Sequence, residues 1–301
     1  MMKRWKEASL TTFRFITIAL LLCVLPACQE KSEPESAGRV EANAAYRQYF
    51  GEPPTPTAGQ AYARVAYLPL HEDSFKVRAV PLYLFTSENQ VEKIITRLID
   101  GTLILPPEGD TYNPFPAGVE VSLSQQGSQL AISLELPSIP TSGTDAIISS
   151  LVETATQFDS VETVLLRFNG KEITGMPPEG FRSGVARVVE VGPPTLLVLA
   201  AIADEGEDAL EEIVANFDRP VTVNRLRLLH VDGSRVDGAY FTSVFQMAVV
   251  VHPERAETYA EGDMFVVEWD VTDALDRRAA GRKVMPLRWF EHEAELGSFS
   301  K

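Results

Sequence analysis

The chain has 301 residues, 45% of them hydrophobic, and a formal net charge of −15. This acidity argues against binding to nucleic acid or to anionic lipid headgroups, because both are themselves negatively charged. The length is sufficient for two domains of ordinary size.

The first residues have the pattern of a secretion signal. Basic residues precede a short apolar run, Ile16 to Val24, which is shorter than the ~20 residues that span a bilayer. A buried core helix is the alternative, but the basic flank and the polar residues that follow favour a signal. Residues 1–27 are therefore predicted to be a signal peptide.

The segment Leu25-Pro26-Ala27-Cys28 resembles the lipobox of bacterial lipoproteins. Both cysteines of the chain, Cys23 and Cys28, lie in this region, where a disulfide between them would precede the folded part and stabilise nothing. The resemblance implies a lipid anchor, such as palmitate, on Cys28 and an extracytoplasmic location in the cell envelope. Gln29 follows the cysteine instead of the aspartate that signals inner-membrane retention, which implies the outer membrane if the host is Gram-negative.

Removal of residues 1–27, which carry four Lys or Arg and one Glu, changes the net charge to −18. The mature chain then has no thiol, so its fold depends on apolar burial. Residues 28–60 are rich in Glu, Ser, Pro and Ala and are predicted to be the acylated cysteine and a flexible tether. Within that tether, the segment AAYRQYF has the alternative of forming a short docked helix.

Proline and glycine accumulate near residues 175–184, which are predicted to be a linker. The linker separates a first domain over 61–174 from a second over 185–292, and a tail of residues 293–301 follows. In chain order the elements predicted for the first domain are strands over 63–70 and 76–85, a helix ending at Gly101, a hairpin around Gln126-Gly127, a helix over 144–158, and a strand ending at Asn169-Gly170.

The first of these helices is predicted from a capping-box pair, Ser87 and Gln90. Apolar residues at helical spacing follow, and Gly101 ends the pattern. The resulting order β-β-α-β-β-α-β predicts an α+β domain with two helices on one side of a sheet. The far face of that sheet is then either solvated or an interface.

Five short motifs stand out in this domain: the apolar helix Ile94 to Gly101, Pro116-Ala117-Gly118, the hairpin, Leu151-Val152-Glu153-Thr154, and Asn169-Gly170-Lys171. Together they resemble the GerM domain of the sporulation and spore germination family. The resemblance implies a module of envelope lipoproteins, related to ring-building modules or to the partners of sensor kinases. It implies no catalytic residue.

Residues 185–292 contain several short strands separated by turn signals, a pattern typical of a β-sandwich. The segment ALEEIVANF is either a short helix or the start of a strand. The region resembles bacterial immunoglobulin-like domains at Phe217 to Val221 and Gly262 to Asp273, and more loosely the copper-resistance sandwich. Asp276-Arg277 replace a copper-binding histidine of those proteins, and no histidine lies near residue 185, which argues against copper.

No catalytic or metal-binding constellation is predicted. The histidines His71, His230, His252 and His292 have no ligand spacing, and the segment HEAEL lacks the second histidine of a zinc motif. The segment DGSRVDG at 232–238 has an arginine among its oxygens and no closing glutamate, so a hairpin turn is favoured over a calcium loop. The residues Glu291, Glu293 and Glu295 are interpreted as a solvated charge run.

These observations predict a lipid-anchored, non-enzymatic envelope protein without a cofactor. It would bind an envelope protein partner or associate with itself, and the sandwich would be a second recognition or spacer module. The alternative is a ligand-binding lipoprotein with a pocket in or beside the sandwich, lined by Trp269, Trp289 and Tyr240, although core packing also accounts for these aromatics. A hydrolase ranks third because no nucleophile motif occurs.

Overall fold

The computed structural model describes residues 38–101, 103, 109–137, 143–203, 210–255 and 259–290. All of these residues belong to one compact unit, Ala37–Lys301. Each helix formed by the described residues is too short or too polar to span a lipid bilayer.

The described residues form three helices and fifteen strands. The helices are α1 (Ala44–Phe50), α2 (Gln90–Asp100) and α3 (Thr144–Ala155). The strands are β1 (Arg39–Ala42), β2 (Gln60–Leu70), β3 (Asp73–Leu84), β4 (Glu120–Gln126), β5 (Gln129–Glu135), β6 (Thr163–Phe168), β7 (Lys171–Glu172), β8 (Arg187–Val188), β9 (Leu196–Ala203), β10 (Leu210–Phe217), β11 (Thr222–His230), β12 (Gly238–Thr242), β13 (Ala248–Pro253), β14 (Met264–Thr272) and β15 (Arg278–Phe290).

The predicted order β-β-α-β-β-α-β is confirmed, with β1 and α1 added before it. The single predicted sheet is wrong, because the strands divide into two four-stranded sheets of order β1-β2-β3-β8 and β4-β5-β6-β7. The hairpin β2–β3 pairs with β1 and β8 and with neither β4 nor β6. Helix α3 is the crossover that makes β5 and β6 parallel neighbours.

The long hairpin β2–β3 is buried on both faces, and ten of the eleven residues of β2 are buried. Because side chains alternate across a strand, Ala66 and Leu68 face one core while Val65 and Tyr67 face another. The first core also contains α2, α3, β5 and β6. The two helices therefore pack between the hairpin and the second sheet.

Helix α2 begins differently from its predicted cap. Its N-cap is Asn89, which has a left-handed backbone (φ 51°) and makes no capping hydrogen bond with its side chain. Ser87 lies two residues earlier and caps nothing, so the capping box is wrong. Gly101 ends the helix at φ 74°, a conformation that glycine adopts at little cost.

Residues 39–50 lie within the predicted flexible tether, but in the structure they form β1 and α1. Strand β1 pairs in parallel with β2, and the side chain of Asn43 caps α1 by accepting a hydrogen bond from the Tyr46 N–H. Tyr46 is fully buried and Phe50 is 3% exposed. The segment AAYRQYF therefore forms the docked helix of the alternative, because its aromatic side chains have an apolar surface to cover.

That surface is the face of the hairpin β2–β3 that points away from α2 and α3. Other parts of the same chain cover it. Tyr46 and Phe50 cover it together with Phe245 and Met247, which lie between β12 and β13 of the second domain. The ring of Phe245 stacks on that of Tyr83 with 4.5 Å between their centres. The far face of the other sheet instead carries small polar side chains, such as Ser122 and Ser133, that remain accessible to solvent.

The second domain is rich in strands, as a β-sandwich is. Its sheet order is β11-β14-β15-β9-β10-β13-β12. Strand β15 links the group β11-β14 to the group β9-β10-β13-β12, because it pairs with β14 along Arg278–Pro286 and with β9 along Leu287–Phe290. Side chains from both groups of strands share one core. Residues 210–217 of the segment ALEEIVANF form β10, so this part is a strand and not a helix.

Candidate interaction site

The three described histidines lie apart from one another, each in a separate local contact. His71 stacks on Tyr112 with ring centres 4.7 Å apart, and His230 packs against Tyr259. His252 Nε2 lies 3.0 Å from Glu212 Oε1. Among the described residues, no group of three or more His, Cys, Asp or Glu side chains could hold a metal ion.

The aromatic residues considered for a ligand pocket pack against the sandwich core. Trp269, Trp289 and Tyr240 are all partly buried there, and the Tyr240 hydroxyl donates to the Val236 carbonyl. A cavity of about 480 Å³ does lie beside the sandwich, but it is lined by residues 55–57, 221–223, 242–244 and 246. The predicted lining residues therefore do not form it.

The segment DGSRVDG forms a turn after β11. The Asp232 carboxylate accepts hydrogen bonds from the N–H and the hydroxyl of Ser234, and these bonds lower the pKa of Asp232. The carboxylate thus holds its own turn together. Cys23, Cys28, His292 and the three glutamates Glu291, Glu293 and Glu295 lie outside the described residues.

A buried charge cluster joins the two domains, and no sequence motif indicated it. Its centre is Asp273, which is 5% exposed. Oδ2 of Asp273 accepts from Arg277 Nε at 2.6 Å and from Arg219 Nη1 at 3.4 Å. Oδ1 accepts from the backbone N–H of Leu275 and of Arg277, so the carboxylate is fully paired.

The two arginines extend this cluster to other parts of the chain. Arg277 donates to the Tyr49 carbonyl at the end of α1 and to the Val191 carbonyl. Val191 belongs to residues 184–192, hereafter the connecting segment. Arg219 donates to the Gly192 carbonyl and lies over the ring of Phe50. The cluster therefore fixes α1, the connecting segment and the sandwich to one another.

A second buried carboxylate, Glu153 of α3, holds the other end of the connecting segment. Its Oε1 accepts from the N–H of Gly184 at 2.8 Å and from the N–H of Ala186 at 3.1 Å. Burial raises the pKa of Glu153, while these backbone hydrogen bonds partly oppose the rise. The residues between the two domains are thus held at both ends.

A cleft of about 650 Å³ lies beside α2 and contains a buried arginine, Arg64. Its guanidinium is already bonded: Nε donates to Gln90, Nη1 donates to the Glu41 and Ala63 carbonyls, and Nη2 donates to the Glu41 carboxylate. Arg64 therefore connects β1, β2 and α2 and offers little to a ligand.

The surface best suited to a partner is the free edge of β4. Among the described strands, β4 pairs with β5 alone, and most of its side chains are exposed. Its sequence, EVSLSQQ, has no proline or lysine to discourage pairing. A strand from another molecule could extend the sheet at this edge through backbone hydrogen bonds.

Comparison with protein families confirms the prediction of a GerM-like domain. Residues 65–174 match the model of the family Germane, described as "Sporulation and spore germination". The matched segment begins in β2 and ends just after β7. Comparison with curated protein sequences gives no match.

Solved structures with similarity to the chain include two of a Bacillus subtilis protein. The first GerMN domain of the sporulation protein GerM is 24% identical, over 42% of this chain and 96% of that one, with a TM-score of 0.33. The tandem GerMN domains of the same protein are 21% identical, over 52% of this chain and only 58% of that one, with a TM-score of 0.33.

CopC from Methylosinus trichosporium OB3b is 12% identical, over 31% of this chain and 88% of that one, with a TM-score of 0.22. All three TM-scores are low, so the assignment of the first domain depends on the family model.

The substitution Asp273→Asn should destabilise the protein by about 3 kcal/mol, because Arg277 would lose its buried counter-charge. Arg219, which also pairs with Asp218, would lose the more buried of its two carboxylate partners. Urea unfolding of residues 37–301 measures the change. The matched control is Asp276→Asn, at an exposed position with φ 59°, where asparagine is well tolerated. Equal stability of the two variants would show that the cluster does not hold the domains together.

The substitution Glu153→Gln should make stability less dependent on pH. The pKa of Glu153 is higher in the folded than in the unfolded chain, so ionisation destabilises the fold increasingly as the pH rises through the folded pKa. The variant should therefore gain stability relative to the original chain between acidic and neutral pH. Unfolding in urea at several pH values tests this, with the exposed Glu135→Gln as control. A constant difference across the range would contradict it.

Proposed function

We propose that this protein is a bacterial lipoprotein of the cell envelope whose GerM-like domain binds a protein partner or further copies of itself, without catalysis. The family match over residues 65–174 supports an envelope role related to sporulation or germination. The lipobox at Leu25–Cys28 supports the anchor. The main support for partner binding is the free edge of β4, which lies on a protein whose two domains are fixed to each other.

Rigidity matters because a module that positions partners must hold its domains in a fixed arrangement. Here the apolar contact of α1 and Phe245 with the hairpin joins the domains, and the Asp273 cluster ties them a second time. The immunoglobulin-like sandwich then acts as a second recognition module or as a spacer. The buried charges at these positions serve as ties between segments, so they are not available for chemistry.

The alternative function is the binding of a small ligand beside the sandwich. The cavity of about 480 Å³ favours it, since this volume lies within the range of ligand sites. Its lining of threonines, valines and Gln246 would suit a neutral ligand with few polar groups.

The substitution Cys28→Ser should move the protein from the membrane fraction to the soluble fraction. Loss of the acylated cysteine removes an anchor to which each buried CH₂ contributes about 0.8 kcal/mol. Fractionation of cells that produce the full chain measures this, and Cys23→Ser is the matched control, which should remain in the membrane. If the Cys28 variant stays in the membrane through an uncleaved apolar segment, the lipoprotein proposal is wrong.

The double substitution Ser122→Lys and Ser124→Lys should abolish partner binding at the β4 edge, because charged side chains discourage strand addition. A photocrosslinking residue at Gln126 of the full chain would report on the contact in the native envelope, through adducts of defined mass. The lysine variant should lose those adducts. Deletion of residues 61–174 is a poorer test, because it would expose the apolar side chains of α1 and Phe245.

The matched control is the double substitution Ala239→Lys and Phe241→Lys, at alternate exposed positions of another edge strand, β12. In this control the adducts formed through residue 126 should persist. If no adduct forms in the unmodified chain, or if both lysine pairs remove it equally, the β4 edge is not the partner site.

A further inference from the structure

One face of the sandwich is unlike the rest of this acidic chain. It is the outer face of β11, β14 and β15, hereafter the outer face, where opposite residues of the three strands form rows. One row is Arg227, Glu268 and Arg282, and the next begins with Arg225 and Asp270. Arg278 lies at the end of β15 beside Asp270.

These rows carry an excess of positive charge. Four arginines face two carboxylates, which gives a local net charge of +2 on a chain of −15. Arg278 Nε donates to Asp270 Oδ1 at 2.8 Å, and Arg282 Nε lies 3.5 Å from Glu268 Oε1. The two carboxylates are thus already paired from β15, while Arg225 and Arg227 are exposed on the edge strand β11.

The same face has an exposed apolar end. Beyond the charged rows, Met264 lies opposite Pro286, and Val284 lies opposite Val266, which is itself buried. Val284 is 53% exposed and Met264 44%. They are two of the eight large apolar side chains that are exposed in the described part of the chain.

Apolar side chains beside arginines, with few lysines, are typical of protein–protein interfaces. Residues 61–174 provide a surface of the opposite charge, since they carry 14 Asp or Glu and 7 Lys or Arg, a net charge of −7. Two outer faces would repel each other, because each has surplus arginines. The complementary arrangement is therefore head to tail, between the sandwich of one copy and the first domain of the next.

We infer that the outer face binds the acidic GerM-like domain of a second copy of this chain. This goes beyond the proposed function, which concerns the β4 edge. The three strands cover roughly 400 Å² in projection, about half of the ~800 Å² that each partner contributes to a standard interface. Association should therefore be weak in solution, with a dissociation constant on the order of 100 µM.

A head-to-tail contact is heterologous, so it builds a ring or a filament rather than a closed dimer. Sedimentation equilibrium of residues 37–301, which form one compact unit, from about 10 µM to about 1 mM brackets the expected constant. We expect the average mass to rise with concentration beyond that of a dimer. A strict monomer throughout this range would overturn the inference.

Charge reversal on β11 then tests the surface. The double variant R225E/R227E should weaken association at least about tenfold, because like charges would face each other in the contact. The matched control is R39E/R187E, which changes the net charge equally at two exposed arginines elsewhere. If both variants weaken association equally, general repulsion explains the effect and the outer face is not the contact.

The apolar end gives a test without any change of charge. Val284→Thr should weaken association about threefold by removing apolar contact, while Val244→Thr, at an exposed valine outside the face, should not. Association that depends on Ser122 and Ser124 but not on Arg225, Arg227 or Val284 would overturn this inference and leave the proposed function standing.

Discussion

Burial of the hairpin β2–β3 on both faces is the constraint on which the rest of the molecule depends. A strand whose side chains alternate between two apolar faces needs a cover on each side. One cover is the layer of α2, α3 and the second sheet. The other is assembled from α1 and from Phe245 and Met247 of the sandwich. The two domains are thereby joined through an apolar core as well as by the chain between them.

Buried charged groups also hold distant segments of the chain together. Asp273 and Glu153 are buried carboxylates, and each binds segments that are distant in sequence. A buried charge is costly unless it is paired and hydrogen-bonded. Asp273 meets both conditions, whereas Glu153 is hydrogen-bonded to backbone N–H groups without a charged partner. Their partners are backbone groups and arginines in fixed positions, so these residues serve architecture.

The surfaces that remain after these contacts have different characters. The β4 edge offers unpaired backbone groups with small polar side chains around it. The outer face of the sandwich offers arginines beside exposed valine and methionine. Because the domains are held rigidly, contacts at both surfaces would give a defined direction to an assembly. A lipid anchor would restrict such an assembly to the membrane plane.

The features that depend on neighbouring residues could be predicted from the amino-acid sequence. The hairpin over residues 63–85, the turn at Asn169-Gly170 and the end of α2 at Gly101 follow from alternation, helical spacing and the left-handed backbone that Asn and Gly tolerate. The family resemblance of the first domain depended on the same local motifs. Each of these signals is complete within a few consecutive residues.

The contacts between distant elements could not be predicted in this way. The division of the strands into two sheets, the docking of α1 and the Asp273 cluster each join residues that are far apart in the chain, such as Tyr49 and Arg277. An amphipathic pattern states that a face must be covered but does not identify the cover, because any apolar surface of suitable shape satisfies it. The start of α2 was also not predictable from a local pattern. Ser87 and Gln90 match a capping box, but Asn89 is the N-cap in the structure.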